Sequence, residues 1–526
     1  MERFDLLIIG AGPAGLSAAI EAANAGMKVA IFDENHRPGG QLFKQIHKFF
    51  GSKEHKARIR GFRIGQELLS AAEKAGVMVH LDTIVIGIFP QLGVSVMEKD
   101  KIIHYKANSI IIATGASENG LAFKGWTLPG VIGAGAAQTM MNIYHEQPGK
   151  KILMVGSGNV GLVVSYQLLE AGCEVKALVD VLPRIGGYGV HAAKVARTGV
   201  PFYLSHTVVE AEGKDHVTGA IIAQVDNKFK VIKGTEQHLD VDTICLAVGL
   251  TPVANLARMA NCHMITKGGN VPECDEYGAT SVPGIFAAGD VSGIEEASSA
   301  MIEGRMAALG AAKYAGFMSD KECEAKFTAC QEDLSKLRHG MFAPGNPHKM
   351  TATKTTEGYP LSMSLLHKGY IEQEELKAFP ACTYSANGIH PVVECTQNIP
   401  CNPCQDICPK HCIKVGDDIT NIPQINQMQQ CSGCGMCVAN CPGQAIFLVE
   451  HGTVNDQVTI PYEFLPVPTV GENGFGYDRS GTKVCSAKIN AIKDLPVNDH
   501  TILLTMSVPA GMGDTVRFYK SEEGQA

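Results

Sequence analysis

The chain has 526 residues, a net charge of −8 at pH 7, 45% hydrophobic residues and 19% charged residues. This length predicts several domains, and the composition is ordinary for a globular protein. The acidic balance gives no reason to expect a nucleic-acid partner, and no apolar run approaches the roughly 20 residues of a membrane span.

The N-terminus and the cysteines indicate a compartment. Residues 1–5 do not read as a signal peptide, because the apolar run after them covers only residues 6–9 before a glycine. Of the 17 cysteines, nine lie between residues 395 and 441, and the other eight are scattered without the rhythm of a disulfide framework. Both observations predict a reducing, cytoplasmic location.

A strand, a glycine-rich turn, a helix and a second strand open the chain. Residues 6–9 are apolar, an alanine-rich helix covers 16–25, and a strand over 28–32 ends at two acids. This is G-x-G-x-x-G with an acid about 20 residues later, a dinucleotide fingerprint in which pyrophosphate rests on the helix N-terminus. Asp33 is the first candidate for ribose because it ends the strand, and Glu34 is the second. The candidate binding residues are Gly10, Gly12, Pro13, Ala14, Gly15, Asp33 and Glu34.

Two further segments resemble parts of disulfide-reductase-like flavoproteins. Gly39-Gly40-Gln41 resembles the loop beside the flavin in that superfamily, although a plain glycine turn is the alternative. The apolar run 109–112 ends in Ala113-Thr114-Gly115, like the strand that returns to the flavin domain. The resemblance implies that Gly40, Gln41, Ala113, Thr114 and Gly115 contact FAD.

Residues 44–63 hold seven Lys or Arg and one Glu. A solvated face is one interpretation. A docking patch for an acidic partner is the other.

A second complete fingerprint follows at 151–180. A strand over 151–155 leads into Gly156-Ser157-Gly158-Asn159-Val160-Gly161, a helix to about residue 171, and a strand over 174–179 that ends at Asp180. The carboxylate favours NAD over NADP because it would repel a 2′-phosphate, and the nearby Arg184 weakens that preference. A fold unit without ligand is the alternative. The candidate residues are Gly156, Gly158, Asn159, Val160, Gly161 and Asp180.

Residues 280–290 resemble the second flavin motif of the two-dinucleotide-binding flavoproteins. That resemblance implies that Asp290 contacts the ribityl and pyrophosphate region and that Gly289 allows close approach. Neither nucleotide region contains C-x2-C or C-x4-C, so the redox disulfide of thioredoxin or glutathione reductases is missing. Electrons must therefore leave the flavin by another route.

Two cysteine runs near the C-terminus have the spacing of iron–sulfur ligands. Cys431, Cys434, Cys437 and Cys441-Pro442 read C-x2-C-x2-C-x3-C-P, the bacterial ferredoxin pattern, in which the cysteine before proline ligates the other cluster. The first run keeps the end of this pattern at Cys401, Cys404 and Cys408-Pro409. Asn398 stands where a standard run begins, and Cys395 is the replacement.

The spacing predicts two [4Fe-4S] clusters with crossed ligands. One is assigned to Cys395, Cys401, Cys404 and Cys441, and the other to Cys408, Cys431, Cys434 and Cys437. Zinc is the alternative for C-x2-C pairs, but four-ligand zinc leaves no role for the crossed cysteines before proline. Cys412 aligns with Ala445 and is interpreted as packing.

The predicted fold is α/β, a two-dinucleotide-binding flavoprotein of the disulfide-reductase type with a C-terminal 2[4Fe-4S] ferredoxin-like module and a small β tail. The tail has strand character at 459–465, 501–508 and 515–519, with turns at 471–476 and 478–482. The predicted domains are FAD-binding (1–120 and 256–320), NAD-binding (121–255), a linker or helical region (321–389), ferredoxin-like (390–450) and small β (451–526).

Domain order and motifs resemble the FAD/NAD-binding subunits of multi-subunit amine and amino-acid dehydrogenases. That group includes dye-linked proline dehydrogenase, hydrogen cyanide synthase, opine oxidase and heterotetrameric sarcosine oxidase. The resemblance implies FAD, two [4Fe-4S] clusters and NAD(H), with FMN at a subunit interface in some relatives. It also implies a partner dehydrogenase subunit that depends on FAD and, in some relatives, a small iron–sulfur subunit. No side chain is assigned as a catalytic acid or base.

Two other functions remain open at this point. One is a stand-alone NAD(P)H:acceptor or ferredoxin oxidoreductase, similar to the glutamate synthase small subunit, in which the ferredoxin part usually precedes the flavoprotein. The other is a non-catalytic scaffold whose second nucleotide site holds ATP or nothing.

Overall fold

The structure is a computed structural model that describes residues 2–265, 270–344, 358–426 and 430–522. The chain divides into two compact units. Unit 1 comprises Met1–Phe49, Glu54–Asn119 and Gly249–Arg338, and unit 2 comprises Phe50–Lys53, Gly120–Val248 and His339–Ala526. No helix in the described ranges is long and apolar enough to span a membrane.

The strands and helices of the described residues are numbered here in chain order. The strands are β1 (Glu2–Ile9), β2 (Val29–Phe32), β3 (Met78–His80), β4 (Thr83–Phe89), β5 (Gly93–Glu98), β6 (Lys101–Ile112), β7 (Ala116–Glu118), β8 (Val131–Gly133), β9 (Lys151–Val155), β10 (Glu174–Asp180), β11 (Phe202–Leu204), β12 (His206–Gly213), β13 (Val217–Gln224), β14 (Gln237–Leu239), β15 (Thr243–Leu246), β16 (Leu250–Pro252), β17 (Met264–Ile265), β18 (Val271–Pro272), β19 (Ile285–Ala287), β20 (His390–Val393), β21 (Ile413–Lys414), β22 (Gln424–Ile425), β23 (Ile446–Glu450), β24 (Asn455–Tyr462), β25 (Asn473–Tyr477), β26 (Lys483–Lys493), β27 (Ile502–Pro509) and β28 (Phe518–Ser521). The helices are α1 (Pro13–Asn24), α2 (Gly61–Lys74), α3 (Ala134–Tyr144), α4 (Asn159–Glu170), α5 (Gly189–Ala196), α6 (Asn255–Met259), α7 (Ala297–Tyr314), α8 (Asp320–Leu337), α9 (Met363–Lys368), α10 (Gln373–Leu376), α11 (Pro403–Asp406) and α12 (Met436–Asn440). Short 3₁₀ segments lie at Gly40–Lys44, Lys53–His55, Pro90–Leu92 and Pro496–Asn498.

The main sheet of unit 1 has the strand order β3-β2-β1-β6-β5-β4, with β19 paired to β6. β1, β2, β3, β6 and β19 pair in parallel, whereas β4, β5 and β6 form an antiparallel meander. The parallel strands are continuous apolar runs because both faces are covered, and Ile8 and Ile111 are 0% exposed. Helices α1 and α7 pack together in the core on one face. The carboxyl ends of β1, β2, β6 and β19 therefore meet at one edge of this sheet.

Unit 2 begins with a second parallel sheet, in the order β11-β10-β9-β15-β8. Helices α3, α4 and α5 pack on it, and the antiparallel strands β12-β13-β14 form a separate sheet. Leu153, Leu178 and Ile244 are 0% exposed, as expected for strands with both faces covered. This is the Rossmann arrangement that the second fingerprint predicts.

The C-terminal part of unit 2 is built on one antiparallel sheet, in the order β20-β23-β24-β27-β26-β25-β28. β20 and β23 flank the cysteine runs, and β23 pairs directly with β24 of the tail, with Leu448 opposite Thr459. The sheet is therefore continuous across the predicted boundary at 450/451. Part of the Gly/Pro-rich stretch 343–359, within the predicted linker, lies outside the described residues.

Candidate functional site

The first glycine fingerprint lies at the carboxyl edge of the unit 1 sheet, between β1 and α1. A Cβ on Gly10 would lie 2.3 Å from the Ala113 carbonyl oxygen, and a Cβ on Gly15 would lie 1.9 Å from the Gly10 oxygen. The backbones thus approach too closely for any side chain at these two positions. A Cβ on Gly12 would meet nothing within 4 Å. This open space lies beside the N-terminus of α1, where Pro13 begins the helix, and it is where the fingerprint predicts the pyrophosphate.

The acid of this fingerprint is tied to the glycine turn. Asp33 is 6% exposed, and one carboxylate oxygen accepts the Ala11 N–H at 2.6 Å. The other accepts the backbone and side-chain N–H groups of Asn35 at 2.8 Å. Glu34 is exposed. Asp33 therefore braces the glycine turn, and its assignment as the ribose acceptor stays a prediction.

The loop at Gly40 lies against the same turn. The Gly39 N–H donates to the Ala11 oxygen at 2.7 Å, and a Cβ on Gly40 would lie 3.0 Å from the Gly12 Cα. Gln41 is exposed. The structure thus brings Gly40 and Gln41 to the predicted FAD site rather than leaving them in a remote turn.

The two remaining FAD segments reach this edge on β6 and β19. The Ala113 N–H donates to the Ile9 oxygen at 2.8 Å, and the Thr114 hydroxyl donates to the Val253 oxygen at 2.6 Å. A Cβ on Gly289 would lie 3.0 Å from the Cβ of Ala14 in α1. The neighbouring Asp290 is largely buried, and this burial raises the pKa of its carboxyl. Gly115 follows Thr114 and has a φ of +67°, and a Cβ added there would meet no atom within 4 Å.

Glu303 of α7 is a site residue that the motifs do not indicate. Its carboxylate accepts the Gly289 N–H at 2.9 Å and also contacts Arg338, which pairs with Glu295 at 2.7 Å. Burial raises the pKa of Glu303 to about 7, although the Arg338 guanidinium opposes this shift. The only signal in the sequence is an isolated acid in an alanine-rich helix. Through the hydrogen bond from the Gly289 N–H, the Glu303 carboxylate supports the Gly289-Asp290 turn.

The second fingerprint repeats the construction of the first. A Cβ on Gly156 would lie 2.2 Å from the Ala247 oxygen and one on Gly161 would lie 1.9 Å from the Gly156 oxygen, whereas Gly158 faces open space. Asp180 accepts the Ser157 N–H and hydroxyl at 2.6 Å. Both units therefore hold the strand-end acid against the residue after the first glycine.

The other candidates of the second site differ in their roles. The Asn159 side-chain oxygen accepts the Tyr188 N–H at 2.8 Å, so this residue anchors the start of α5. Val160 is 44% exposed beside the turn. The Gly187 N–H donates to the Ser157 oxygen at 2.9 Å, so the segment after Arg184 packs on the fingerprint.

The first cysteine group comes together in unit 2. Burial and the neighbouring thiolates of Cys404, Cys441 and Cys395 raise the pKa of Cys401 well above its usual value, and the same cause acts on Cys404. Cys395 and Cys441 show the same direction of pKa shift, mainly through burial. Cys395 is therefore placed with its assigned partners. The buried Asn398 is not, because its side-chain N–H donates to the Thr420 oxygen at 2.8 Å.

The second cysteine group comes together beside it. Burial and the thiolates of Cys431, Cys404, Cys408 and Cys434 raise the pKa of Cys437. Cys434 is exposed. Cys412 also lies here: burial and the neighbouring Cys408 and Cys431 raise its pKa to about 12. Cys412 is interpreted as a packing residue, and the structure also places it in contact with two assigned ligands, Cys408 and Cys431.

Thiols crowded into a buried space suit a bound cluster. Without metal, burial and neighbouring thiolates keep the thiols of Cys401, Cys404 and Cys437 protonated by raising their pKa, whereas a coordinated cluster takes them as thiolates. Backbone N–H groups already point at three sulfurs: Cys412 N at Cys408, Gly433 N at Cys431 and Ala445 N at Cys441, at 3.3 to 3.4 Å. Across the described ranges no three His, Cys, Asp or Glu side chains are arranged to hold a single metal ion. A [4Fe-4S] cluster needs a wider arrangement than a single ion, because each of its four cysteine thiolates binds a separate iron.

Residues 4–304 match the family of pyridine nucleotide-disulphide oxidoreductases. Among curated relatives, an opine oxidase subunit from Rhizobium meliloti is 29% identical over 64% of this chain and 68% of that protein. Hydrogen cyanide synthase subunit HcnB of Pseudomonas aeruginosa is 28% identical over 58% of this chain and 69% of that protein. The sarcosine oxidase alpha subunit of Corynebacterium is 26% identical over 60% of this chain and 33% of that protein.

Two solved structures share the fold. L-proline dehydrogenase from P. horikoshii superposes with a TM-score of 0.50 and 22% identity over 64% of this chain and 59% of that one. Thioredoxin reductase from T. acidophilum gives a TM-score of 0.51 and 25% identity over 61% of this chain and 100% of that one. These matches confirm the two-dinucleotide-binding α/β fold and the resemblance read from the motifs. The family match ends before the cysteine runs.

Proposed function

Because the chain belongs to the pyridine nucleotide-disulphide oxidoreductase family, we propose that it is the electron-transferring flavoprotein subunit of a multi-subunit amine or amino-acid dehydrogenase. In this role it passes electrons between a partner dehydrogenase subunit, two [4Fe-4S] clusters, FAD and NAD(H). The relatives named above are subunits of an opine oxidase, a hydrogen cyanide synthase and a sarcosine oxidase.

One observation carries this proposal: a single chain brings together two glycine-turn-and-acid sites and two groups of four cysteines. Flavin exchanges electrons with two-electron and with one-electron carriers, so FAD would connect NAD to iron–sulfur clusters. Gly12, the start of α1 and Asp33 would hold the FAD pyrophosphate and ribose, with Gly289 and Asp290 on the other side. Asp180 would hold the ribose of NAD, because its carboxylate would accept the 2′-hydroxyl and repel a 2′-phosphate.

The other cysteines support an exit for electrons through clusters. The 17 cysteines all lie in the described ranges, and none of them forms a disulfide there. Burial raises the pKa of Cys173 to about 11 and that of Cys274 to about 12, which opposes thiolate reactivity. A redox disulfide beside the flavin is therefore not supported.

The cofactor content of the anaerobically purified chain tests the proposal directly. We expect one FAD and about eight iron and eight sulfide per chain, as two cubanes require. Zinc in place of iron would refute the cluster assignment. Gly12→Ala is a matched variant, because its Cβ meets no protein atom and should weaken FAD without disturbing the iron.

Anaerobic spectra during NADH addition test the connection between the sites. We expect the flavin absorbance and the cluster absorbance to bleach together. If the flavin bleached while the clusters stayed oxidised, the proposed transfer would be wrong. NADH that failed to bleach the flavin, together with tight binding of ATP, would instead favour the scaffold role.

Isolation of the native complex tests the partner. We expect a flavin-dependent amine or amino-acid dehydrogenase subunit to co-purify, with FMN released from the complex if an interfacial flavin is present. A chain that purifies alone and turns over NADH with an artificial acceptor would favour the stand-alone reductase. The oxidised substrate is then found by assaying the complex with amino acids and secondary amines.

A further inference from the structure

Two buried cations lie at the C-terminal end of α5. Lys194 is 2% exposed and Arg197 is 4% exposed. A buried charge is unfavourable unless an opposite charge compensates it. Within the residues that the structure describes, neither side chain forms an ion pair with a carboxylate, and Glu170 and Glu463 act on Lys194 only through space. A further anion near the two cations would add to the compensation that these carboxylates give.

These cations are attached to the loop that carries Cys441. The Lys194 ammonium lies 4.4 Å from the centre of the Tyr166 ring, and the Tyr166 hydroxyl donates to the Gln444 side-chain oxygen at 2.7 Å. Arg197 donates to the Gln444 backbone oxygen at 2.9 Å and to its side-chain oxygen at 3.0 Å. Gln444 lies three residues after Cys441, whose sulfur accepts the Ala445 N–H at 3.4 Å.

The positive charge of Lys194 also affects the pKa of Cys441. Burial raises the pKa of the Cys441 thiol, whereas the backbone N–H groups after it and the Lys194 ammonium lower it. Reciprocally, burial lowers the pKa of Lys194, whereas the carboxylates of Glu170 and Glu463 and, to a lesser extent, the Cys441 thiolate raise it. The hydrogen bonds of Tyr166 and Arg197 to Gln444 hold both cations against the loop that carries the Cys441 sulfur.

We propose that Lys194 and Arg197 are the counter-charge of the cluster held by Cys395, Cys401, Cys404 and Cys441, and that they raise its reduction potential. This inference rests on the proposed function, because it takes the clusters as given. An iron–sulfur cluster on four thiolates is an anion whose negative charge grows on reduction. Fixed cations nearby favour the reduced form, and they act more strongly in a buried site than in water.

The second cysteine group lacks this arrangement. In the described part of the chain, the charges that act most strongly on Cys437 and Cys431 are those of other thiolates, and Cys434 is exposed. Removal of the Lys194 charge should therefore change one potential and leave the other where it was. Lys194 is a positioning residue in this account, since it acts on the cluster through charge and contacts no substrate.

Redox titration of the holoprotein, followed by the EPR signals of the reduced clusters, tests the proposal. Lys194→Met keeps the length of the side chain and removes its charge. We expect one midpoint to fall by an equilibrium factor of about 10, equivalent to about 59 mV for one electron. Lys194→Arg should restore the wild-type midpoint, and the other cluster should not move in either variant.

Lys520→Met is the matched control. Lys520 also lies over a tyrosine ring, 4.9 Å from the centre of Tyr477, and donates to the Thr198 oxygen at 3.0 Å. No cysteine is among the groups that act on it, so both midpoints should stay unchanged. A shift in this control equal to that of Lys194→Met would overturn the proposal.

Unchanged midpoints in Lys194→Met would overturn it as well. If that variant did not accumulate with its clusters, Lys194→Gln would serve as the second neutral variant, with the same expectation. A wild-type chain that contained no cubane would refute the proposed function and this inference together. Two intact cubanes with unmoved potentials would refute this inference alone.

Discussion

Replacement of Glu394 by glutamine should destabilise the C-terminal sheet more than any comparable change on its surface. Glu394 is buried beside Cys395, and its carboxylate accepts from Arg479 and from Arg517, each at 2.6 Å. Burial alone would raise the pKa of Glu394, but the two guanidinium groups outweigh burial and lower it to about 2. Glutamine would leave both arginines buried without an anion.

The expected loss follows from the pKa. The pKa of Glu394 falls from the ordinary 4.5 to about 2, and at roughly 1.36 kcal/mol per unit this corresponds to about 3 kcal/mol at neutral pH. Breaking a buried ion pair by removing one partner costs about 3 to 5 kcal/mol in general. Because the folded-state pKa is the lower one, this stabilisation is complete above about pH 4.5 and is lost as the pH falls toward about 2.

Hydrogen exchange at pH 7 measures this loss locally, since the chain has more than one compact unit. In Glu394→Gln, the opening free energy of peptides from β24 and β27 should fall by about 3 kcal/mol. Glu450→Gln is the control, because Glu450 ends β23 in the same sheet and is exposed. The reasoning fails if Glu394→Gln changes exchange by less than about 1 kcal/mol, the range of exposed ion pairs, or no more than the control does.

Three further predictions concern the proposed sites. Gly12→Ala should fold normally and bind FAD at least about tenfold more weakly, by flavin retention on dialysis, because its Cβ enters only the ligand space; unchanged retention would contradict the pyrophosphate position. Asp180→Ser should lower the preference for NADH over NADPH by about tenfold in kcat/KM, and an unaltered ratio would argue against a ribose contact. Cys434→Ser should remove about half of the iron while Cys412→Ser keeps it, and the reverse result would exchange their roles.

The glycine turns could be predicted from sequence because the strand, the turn and the helix of each fingerprint are consecutive. Gly15 and Gly161 each approach the first glycine of their own turn, whereas the approaches of Gly10 to Ala113 and of Gly156 to Ala247 depend on a distant strand. The cysteine groups were also predictable, since the ligand spacing is a property of short loops. Even the displaced Cys395 falls among its assigned partners.

Residues that act across long separations could not be predicted in this way. Arg197 meets Gln444 across 247 positions of sequence. Glu303 is only 14 positions from Gly289, but their contact depends on how α7 packs, which the sequence pattern does not indicate. The basic segment 44–63 illustrates the same limit: Lys48 and Arg60 are 4% and 6% exposed, so neither lies on a solvated face or an open docking patch. Their burial depends on tertiary packing that charge alone does not reveal.

The tail shows how a local rule can mislead. The glycines of residues 471–476 predict a turn, but β25 occupies Asn473–Tyr477. A Cβ on Gly474 would lie 2.4 Å from the Lys520 oxygen, and one on Gly476 would lie 2.9 Å from Val516. These glycines let the neighbouring backbone and side chains approach β25 closely, so here they indicate close packing and not a chain reversal.

The pairing of β23 with β24 bears on how such a protein could have been assembled and how it can be cut. A ferredoxin cassette that had simply been appended would come away cleanly at residue 450. Here cleavage at that point would separate β23 from β24, its hydrogen-bonded neighbour. The backbone N–H and C=O groups of an inner strand would then be unpaired, and such an exposed edge promotes aggregation. A truncation that keeps this sheet intact must therefore retain the whole stretch from β20 to β28, together with the part of unit 2 whose Arg197 binds Gln444.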